Sequence, residues 1–253
     1  MLEDVARITA EAGRIAASRC GTDYKSWEKL PGQPVCEVDL EVDAFLQEQL
    51  RALEPEAGWL SEETLDDSDR IERRRLWVVD PIDGTRDYLR DRPGWCVSVA
   101  LVEDRVPVLG ALAAPQRGEL WAAERGRGSW RNGTPLRVSP RAALPGARVP
   151  ADTLPQVDSD LVPVARPNSI ALRIAMVAAG EADLVATLRW GFEWDIAAAA
   201  LIAEEAGATV SGALGQPLAF NTASGEAFGV LVATPGIHEA AVERLRERAM
   251  AVV

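Results

Sequence analysis

Histidine is almost missing from this sequence: His238 is the only one in 253 residues. That scarcity removes His-rich zinc sites, Ser-His-Asp triads and Cys-His dyads unless His238 itself serves them. It stands in Pro235-Gly236-Ile237-His238-Glu239, at the expected start of a polar C-terminal helix, where a solvated side chain is the expectation. Catalysis would have to run on carboxylates, hydroxyls and metal. Cysteine is also sparse. Cys20, Cys36 and Cys96 are widely spaced and form no C-x-x-C pair, which suggests neither a disulfide framework nor a thiolate metal site. A reducing compartment follows, with cytoplasmic residence as the default. The N-terminus carries Glu3 and Asp4 rather than a basic region leading into an apolar core, and no apolar run reaches membrane-spanning length. Basic charge is in deficit, with 27 Lys and Arg against 39 Asp and Glu and a formal net charge of −12. That balance argues against a general nucleic-acid binder, whose affinity rests on clustered basic side chains. An acidic surface can serve solubility, or carboxylates can be concentrated around cations.

Ordered structure is expected along the whole chain. Leu2, Val5, Ile8, Ala12, Ile15 and Ala16 recur at helical spacing and predict an opening amphipathic helix over 2–20. A turn-rich Lys29-Leu30-Pro31-Gly32-Gln33-Pro34 precedes a second helix over 39–53, with Asp39 in its first turn. β-prone runs at 75–80, 96–102, 106–114 and 119–124 predict an antiparallel sheet. Helices then resume at 169–179 and 195–206, with short apolar strands near 183–187, 208–211 and 228–234, so the second half reads as α/β. The Pro-rich stretch near 140–168 is the best place for a boundary, giving subdomains over 1–140 and 141–253.

The most informative segment is Trp77-Val78-Val79-Asp80-Pro81-Ile82-Asp83-Gly84-Thr85. An apolar strand here delivers two carboxylates, a glycine and a hydroxyl within six residues. Pro81 removes a ladder donor and turns the chain, so Asp80 and Asp83 should emerge at the strand's C-terminal edge. Mg²⁺ takes one or two protein carboxylates and keeps much of its water. Gly84 leaves the backbone open to a phosphate, and a helix opening at Thr85 would aim free N–H groups at the anion. Standing alone, the same residues could equally be a capped turn.

Acids from other segments bear on that choice. Glu62 and Glu63 in Ser61-Glu62-Glu63-Thr64 could supply a metal ligand and a base for water, or form a solvated loop. Asp195, in Trp194-Asp195-Ile196-Ala197-Ala198-Ala199-Ala200, opens an almost wholly apolar helix, where cap and metal ligand are compatible roles.

In this order, Ser-Glu-Glu, Asp-Pro-Ile-Asp-Gly-Thr and Trp-Asp-Ile-Ala-Ala resemble the inositol monophosphatase family of Mg²⁺-dependent, lithium-sensitive phosphatases. Pro34-Val35-Cys36-Glu37-Val38-Asp39 is similar to the family's Pro-Val-Thr-x-x-Asp, with Cys36 in place of threonine. The resemblance implies an α+β fold, a layered αβαβα sandwich with an antiparallel sheet in the first half and a smaller mixed or parallel sheet in the second. The metal site would lie in the first subdomain and be completed by the second. Two or three Mg²⁺ ions would be held by Glu62, Asp80, the Ile82 carbonyl, Asp83 and Asp195, with Asp39 an outer ligand. Glu62 and Thr85 would orient and deprotonate a metal-activated water for in-line attack, with Asp83 also in the catalytic set, and the N–H groups of Gly84 and Thr85 would hold the phosphate.

The substrate is implied only as a small phosphorylated metabolite, such as inositol monophosphate or a related sugar or nucleotide phosphate. Asn168 and Ser169, in Pro167-Asn168-Ser169-Ile170-Ala171-Leu172, could bond ligand hydroxyls or cap the following helix. Arg189 and Glu193 fall where family members contact the leaving group. Arg189 could pair with a second phosphate or with a surface acid. Glu193-Trp194-Asp195 and Arg86-Asp87-Tyr88 lean toward the 3'(2'),5'-bisphosphate nucleotidase branch, and histidinol phosphate also stays open. Homodimerisation is implied by the resemblance alone. A reading from another class is a regulatory, metal-ordered binding protein with weak phosphatase activity. Eight tryptophans, Trp95, Trp121 and Trp130 among them, could supply its interface or simply fill a core.

Overall fold

Alternation decides the architecture. On the strand carrying the two aspartates, Leu76 and Val78 join one buried cluster while Trp77 and Val79 join another. A strand that is apolar on both faces needs cover on both. The computed structural model describes residues 1–252 and shows how that cover is built.

Helices α1 (Leu2–Arg19) and α2 (Glu37–Leu53) flank a hairpin of β1 (Ser26–Leu30) and β2 (Gln33–Cys36). There follow β3 (Gly58–Ser61), β4 (Arg75–Asp83), the single-turn α3 (Thr85–Tyr88), β5 (Cys96–Glu103), β6 (Val106–Ala114), β7 (Glu119–Glu124), β8 (Gly128–Arg131) and β9 (Thr134–Pro135). Strands β3 to β9 form one seven-stranded sheet in chain order. It is antiparallel throughout except where β3 runs parallel to β4.

The remainder contributes β10 (Arg148–Pro150), β11 (Val162–Val164), α4 (Ile170–Ala178), β12 (Leu184–Phe192), α5 (Ala197–Glu205), β13 (Thr209–Ser211), β14 (Glu226–Ala233) and α6 (His238–Met250). Helices α1 and α2 cover one face of the large sheet. Helices α4 and α5 cover the other, and Val185, Val230 and Val232 of a three-stranded sheet pack on the same cluster. The far side of that small sheet is closed by α6 through Leu231, Ala233, Ala241 and Leu245. The layers are therefore α, β, α, β, α, as the resemblance implied. In the small sheet β14 lies between β12 and β13, antiparallel to both. The outer strands thus share a direction without pairing, and among the described residues of this half parallel pairing is confined to β10 and β11.

The tryptophans divide. Trp77, Trp95 and Trp121 are buried, whereas Trp27 and Trp190 are exposed. His238 departs from the expectation of a solvated ring. It opens α6, but its side chain is buried and its Nε2 lies 2.9 Å from Ser211 Oγ. Ala241, Val242, Leu245 and Ala249 are buried on the same helix at spacings of three or four, a periodicity that carries position 238 onto the inward face. Burial lowers its pKa, opposed by Glu239.

Close approach of α5 to the large sheet depends on small residues on both sides. A Cβ placed on Gly110 of β6 would lie 2.9 Å from the Ala198 carbonyl oxygen, which is backbone and cannot swing aside. Gly110→Ala should therefore destabilise the fold by about 1–3 kcal/mol, the usual cost of overpacking a filled core. Urea unfolding reads this directly, and an unchanged midpoint would show that α5 does not seat on β6 as described.

Candidate active site

Strand β4 runs apolar to Val79 and then breaks its ladder with β5. Asp80 pairs with Ser98 but Asp83 pairs with Cys96, so the Pro81–Ile82 step is bulged. Pro81 has no N–H to give the ladder, which is why the irregularity falls there. The Ile82 N–H turns back to Asp80 Oδ1 at 2.9 Å, and Thr85 Oγ1 donates to the Ile82 carbonyl at 3.0 Å. Gly84 sits at φ +96°, and a Cβ there would lie 2.7 Å from the Gly94 oxygen and 2.9 Å from the Ser169 nitrogen. Only glycine fits. The chain then enters α3, in which the Gly84 carbonyl accepts from the Asp87 and Tyr88 N–H groups, while Thr85 and Arg86 precede the first such bond.

Asp83 is the best-held acid of the group. Its carboxylate accepts from Ser169 Oγ at 2.5 Å, from the Ala171 N–H at 2.8 Å and from the Ile170 N–H at 3.3 Å, all at the N-terminus of α4. Asp80, Asp83 and Asp195 each present a ligand atom, and those atoms lie within 4.8 Å of one another. Asp195 comes from the turn preceding α5, which starts at Ala197, with Ile196 as the residue before it. Glu62 joins because its N–H bonds the Val79 carbonyl at 3.3 Å, extending the β3–β4 pairing by one residue.

Concentrating these acids is electrostatically unfavourable. Burial, together with the charges of Glu62, Asp83, Asp195 and Asp39, holds Asp80 well above the usual carboxylate range. Burial, Asp83 and Glu62 do the same to Asp195. Asp83 is pushed up to about 6 by burial, even against its hydrogen bonds from α4. Such a set binds protons tightly or needs cations. A donor set made wholly of carboxylate and carbonyl oxygens suits a hard divalent ion. The residues therefore fit the group the resemblance implies.

The cleft around this cluster has a volume of about 380 Å³ and brings together Glu62, Asp80, Ile82, Asp83, Gly84, Thr85, Asn168, Arg189 and Asp195. Three expected residues lie outside it. Asp39 is buried at the third position of α2, accepting from the Cys36 N–H at 2.8 Å and from Cys36 Sγ at 2.9 Å. Burial raises Asp39 to about 6 and holds the Cys36 thiol at about 12, so cysteine keeps a donor where the resemblance placed threonine. Ser169 is no ligand contact. It is fully buried, caps α4 by accepting from the Leu172 N–H, and spends its proton on Asp83. Glu193 is also fully buried and accepts from the Asn221 N–H, the Thr222 N–H and Thr222 Oγ1 at 2.6–2.8 Å. It fastens that loop next to Trp194 and Asp195 instead of facing a substrate.

Lys29, also in the cleft, carried no sequence signal. Lys29 reaches from the β1–β2 hairpin to Glu62 Oε1 at 3.4 Å and Glu63 Oε1 at 2.5 Å, and Arg86 bonds the Gly32 carbonyl at the hairpin's tip. Glu63 is raised to about 7 by burial, with Lys29 opposing. A lysine in a turn-rich stretch looks like any surface lysine. Only the folded hairpin shows that it faces the acids.

Residues 2–251 match the family model described as Inositol monophosphatase family. Among curated proteins, the chain is 36% identical over 190 residues to "Nus factor SuhB" of Xylella fastidiosa, covering 69% of this chain and 67% of that one. It is 30% identical over 235 residues to "3'(2'),5'-bisphosphate nucleotidase CysQ" of Aggregatibacter actinomycetemcomitans, covering 87% of each. The solved structure of the Thermotoga maritima IMPase superposes with a TM-score of 0.84 at 26% identity, covering 100% of this chain and 99% of that one. With the layered fold and the acidic cleft already in place, these matches establish that the chain belongs to the inositol monophosphatase family.

Proposed function

We propose that the cleft is the active site of a Mg²⁺-dependent phosphatase that hydrolyses a small phosphorylated metabolite. The observation that carries this is the convergence of Asp80, Asp83 and Asp195 within 4.8 Å, in a site that raises all three carboxyl pKa values. Those three, the Ile82 carbonyl and Glu62 would hold two or three Mg²⁺ ions, and Asp39, behind Cys36, would shape the outer edge. Bound divalent ions supply Lewis-acid activation of water and neutralise the phosphoryl oxygens.

The chain's own groups do the rest. Thr85 Oγ1 has its proton committed to the Ile82 carbonyl, so its lone pairs are free to accept from the attacking water. Glu62 takes that water's proton on its carboxylate. The Gly84 and Thr85 amides hold the phosphoryl oxygens as charge develops on them. Asn168 and Arg189 face the leaving group, inositol or another sugar or nucleoside. The acidic net charge and the free cysteines support a small-molecule substrate and a cytoplasmic, reducing setting, and no described helix is long and apolar enough to cross a membrane. Lithium sensitivity and a homodimeric state rest on family membership.

Two outcomes are expected. Asp83→Asn keeps acceptor capacity for Ser169 and Ala171 but removes the charge, so circular dichroism should be native while Mg²⁺-dependent phosphate release falls by at least about 100-fold. Retained turnover would remove Asp83 from the proposed set. The second concerns pH. Asp83 has a folded pKa near 6 against an ordinary value of 3.8, so the metal-free fold binds more protons than the unfolded chain between those values. Its stability must then fall as pH rises through about 4 to 6. Mg²⁺ relieves the repulsion, so the rise in Tm on adding Mg²⁺ should be larger at pH 8 than at pH 5. Equal Mg²⁺ effects at both pH values would contradict the proposed ligands.

A further inference from the structure

We propose that Trp190 is a stacking platform that makes the cleft select phosphate esters whose leaving group carries a flat aromatic ring. The inference rests on the phosphatase reading and sharpens it to a substrate class.

An exposed tryptophan is not by itself informative, but its location here is. Trp190 is 54% exposed and lines the same cleft as Asp80, Asp83 and Asp195. It reaches that position through an irregularity in the β12–β14 pairing between Thr187 and Trp190, a device that re-aims side chains next to functional sites. Its orientation is fixed from one side. Phe228, directly across the ladder, meets it edge to face with ring centroids 5.5 Å apart. The other aromatics of the cleft wall are already engaged, since Phe192 and Trp194 stack on each other at 4.4 Å and 8°. Trp190 is the ring left with area to offer. Beside it, a Cβ added to Gly191 would meet nothing within 4 Å, so there is open space along the wall.

Its neighbour strengthens the chemistry. Arg189 is exposed, lines the cleft and forms no salt bridge among the described residues. A guanidinium and an indole side by side suit a leaving group that is both planar and anionic or rich in acceptors. A polyol offers hydroxyls and no π-face, so it would leave Trp190 unused. A nucleoside uses both.

The test compares kcat/KM for adenosine 3'-phosphate and glycerol 2-phosphate, with Mg²⁺, in the wild type, Trp190→Ala and Trp190→Phe. Base–aromatic stacking lost to alanine should reduce the ratio of the two values by about 5- to 150-fold, chiefly through KM for the nucleotide. Trp190→Phe should restore most of the ratio. A ratio within about twofold of wild type in Trp190→Ala would overturn the proposal, as would an equal loss in Phe and Ala. Calorimetric binding of adenosine, which has no phosphate to lose, separates this inference from the phosphatase reading. Weaker adenosine binding by Trp190→Ala in a protein that hydrolyses neither ester would uphold the platform and sink the phosphatase reading. Turnover with unaltered adenosine binding would do the reverse.

Discussion

The carboxylate of Asp83 is the tie on which the rest of the site depends. It ends a strand of the large sheet, yet its hydrogen-bond donors are Ser169, Ile170 and Ala171, some 86 to 88 residues further along the chain. An anion at a helix N-terminus is favoured by the helix dipole and by free amides. The link fixes α4 against the end of β4, and Gly84 permits the approach by having no side chain to collide with Gly94 and Ser169. Helix α5 packs into the same buried cluster and brings Asp195 to the other two aspartates.

That arrangement opposes the fold's own electrostatics. Asp80 and Asp83 are almost fully buried, and the charge of Asp83 pushes both Asp80 and Asp195 toward the protonated form. A structure optimised only for stability would put apolar residues there. Functional sites are where such unfavourable clusters persist, because a bound cation or substrate reverses their sign. Lys29 supplies part of that compensation at Glu62 and Glu63, from a hairpin that is otherwise exposed along β1.

Much of this was legible from the residues. Runs of β-prone residues located β4 to β7, helical spacing located α1 and α2, and apolar stretches located α4 and α5. The acids of the cleft were singled out by motifs that resemble the family's, while the near-absence of histidine only narrowed the chemistry they could serve. What escaped has physical causes. The β1–β2 hairpin has no buried face along β1 and so no hydrophobic period to betray it. Strand β3 has only four residues. Glu193 and Ser169 carry the residue types of ligand contacts, but their partners, Asn221, Thr222 and Asp83, are remote in sequence and were spent on internal bonds. His238 was misplaced through its polar neighbours, although the apolar period of α6 pointed inward.

If Asp80, Asp83 and Asp195 form a divalent-cation centre, anomalous diffraction from crystals grown with Mn²⁺ will show it. At least one strong peak is expected beside these three carboxylates, weakened in Asp83→Asn. Crystals soaked to saturation that show no peak there, or that place Mn²⁺ only at surface acids, would contradict it.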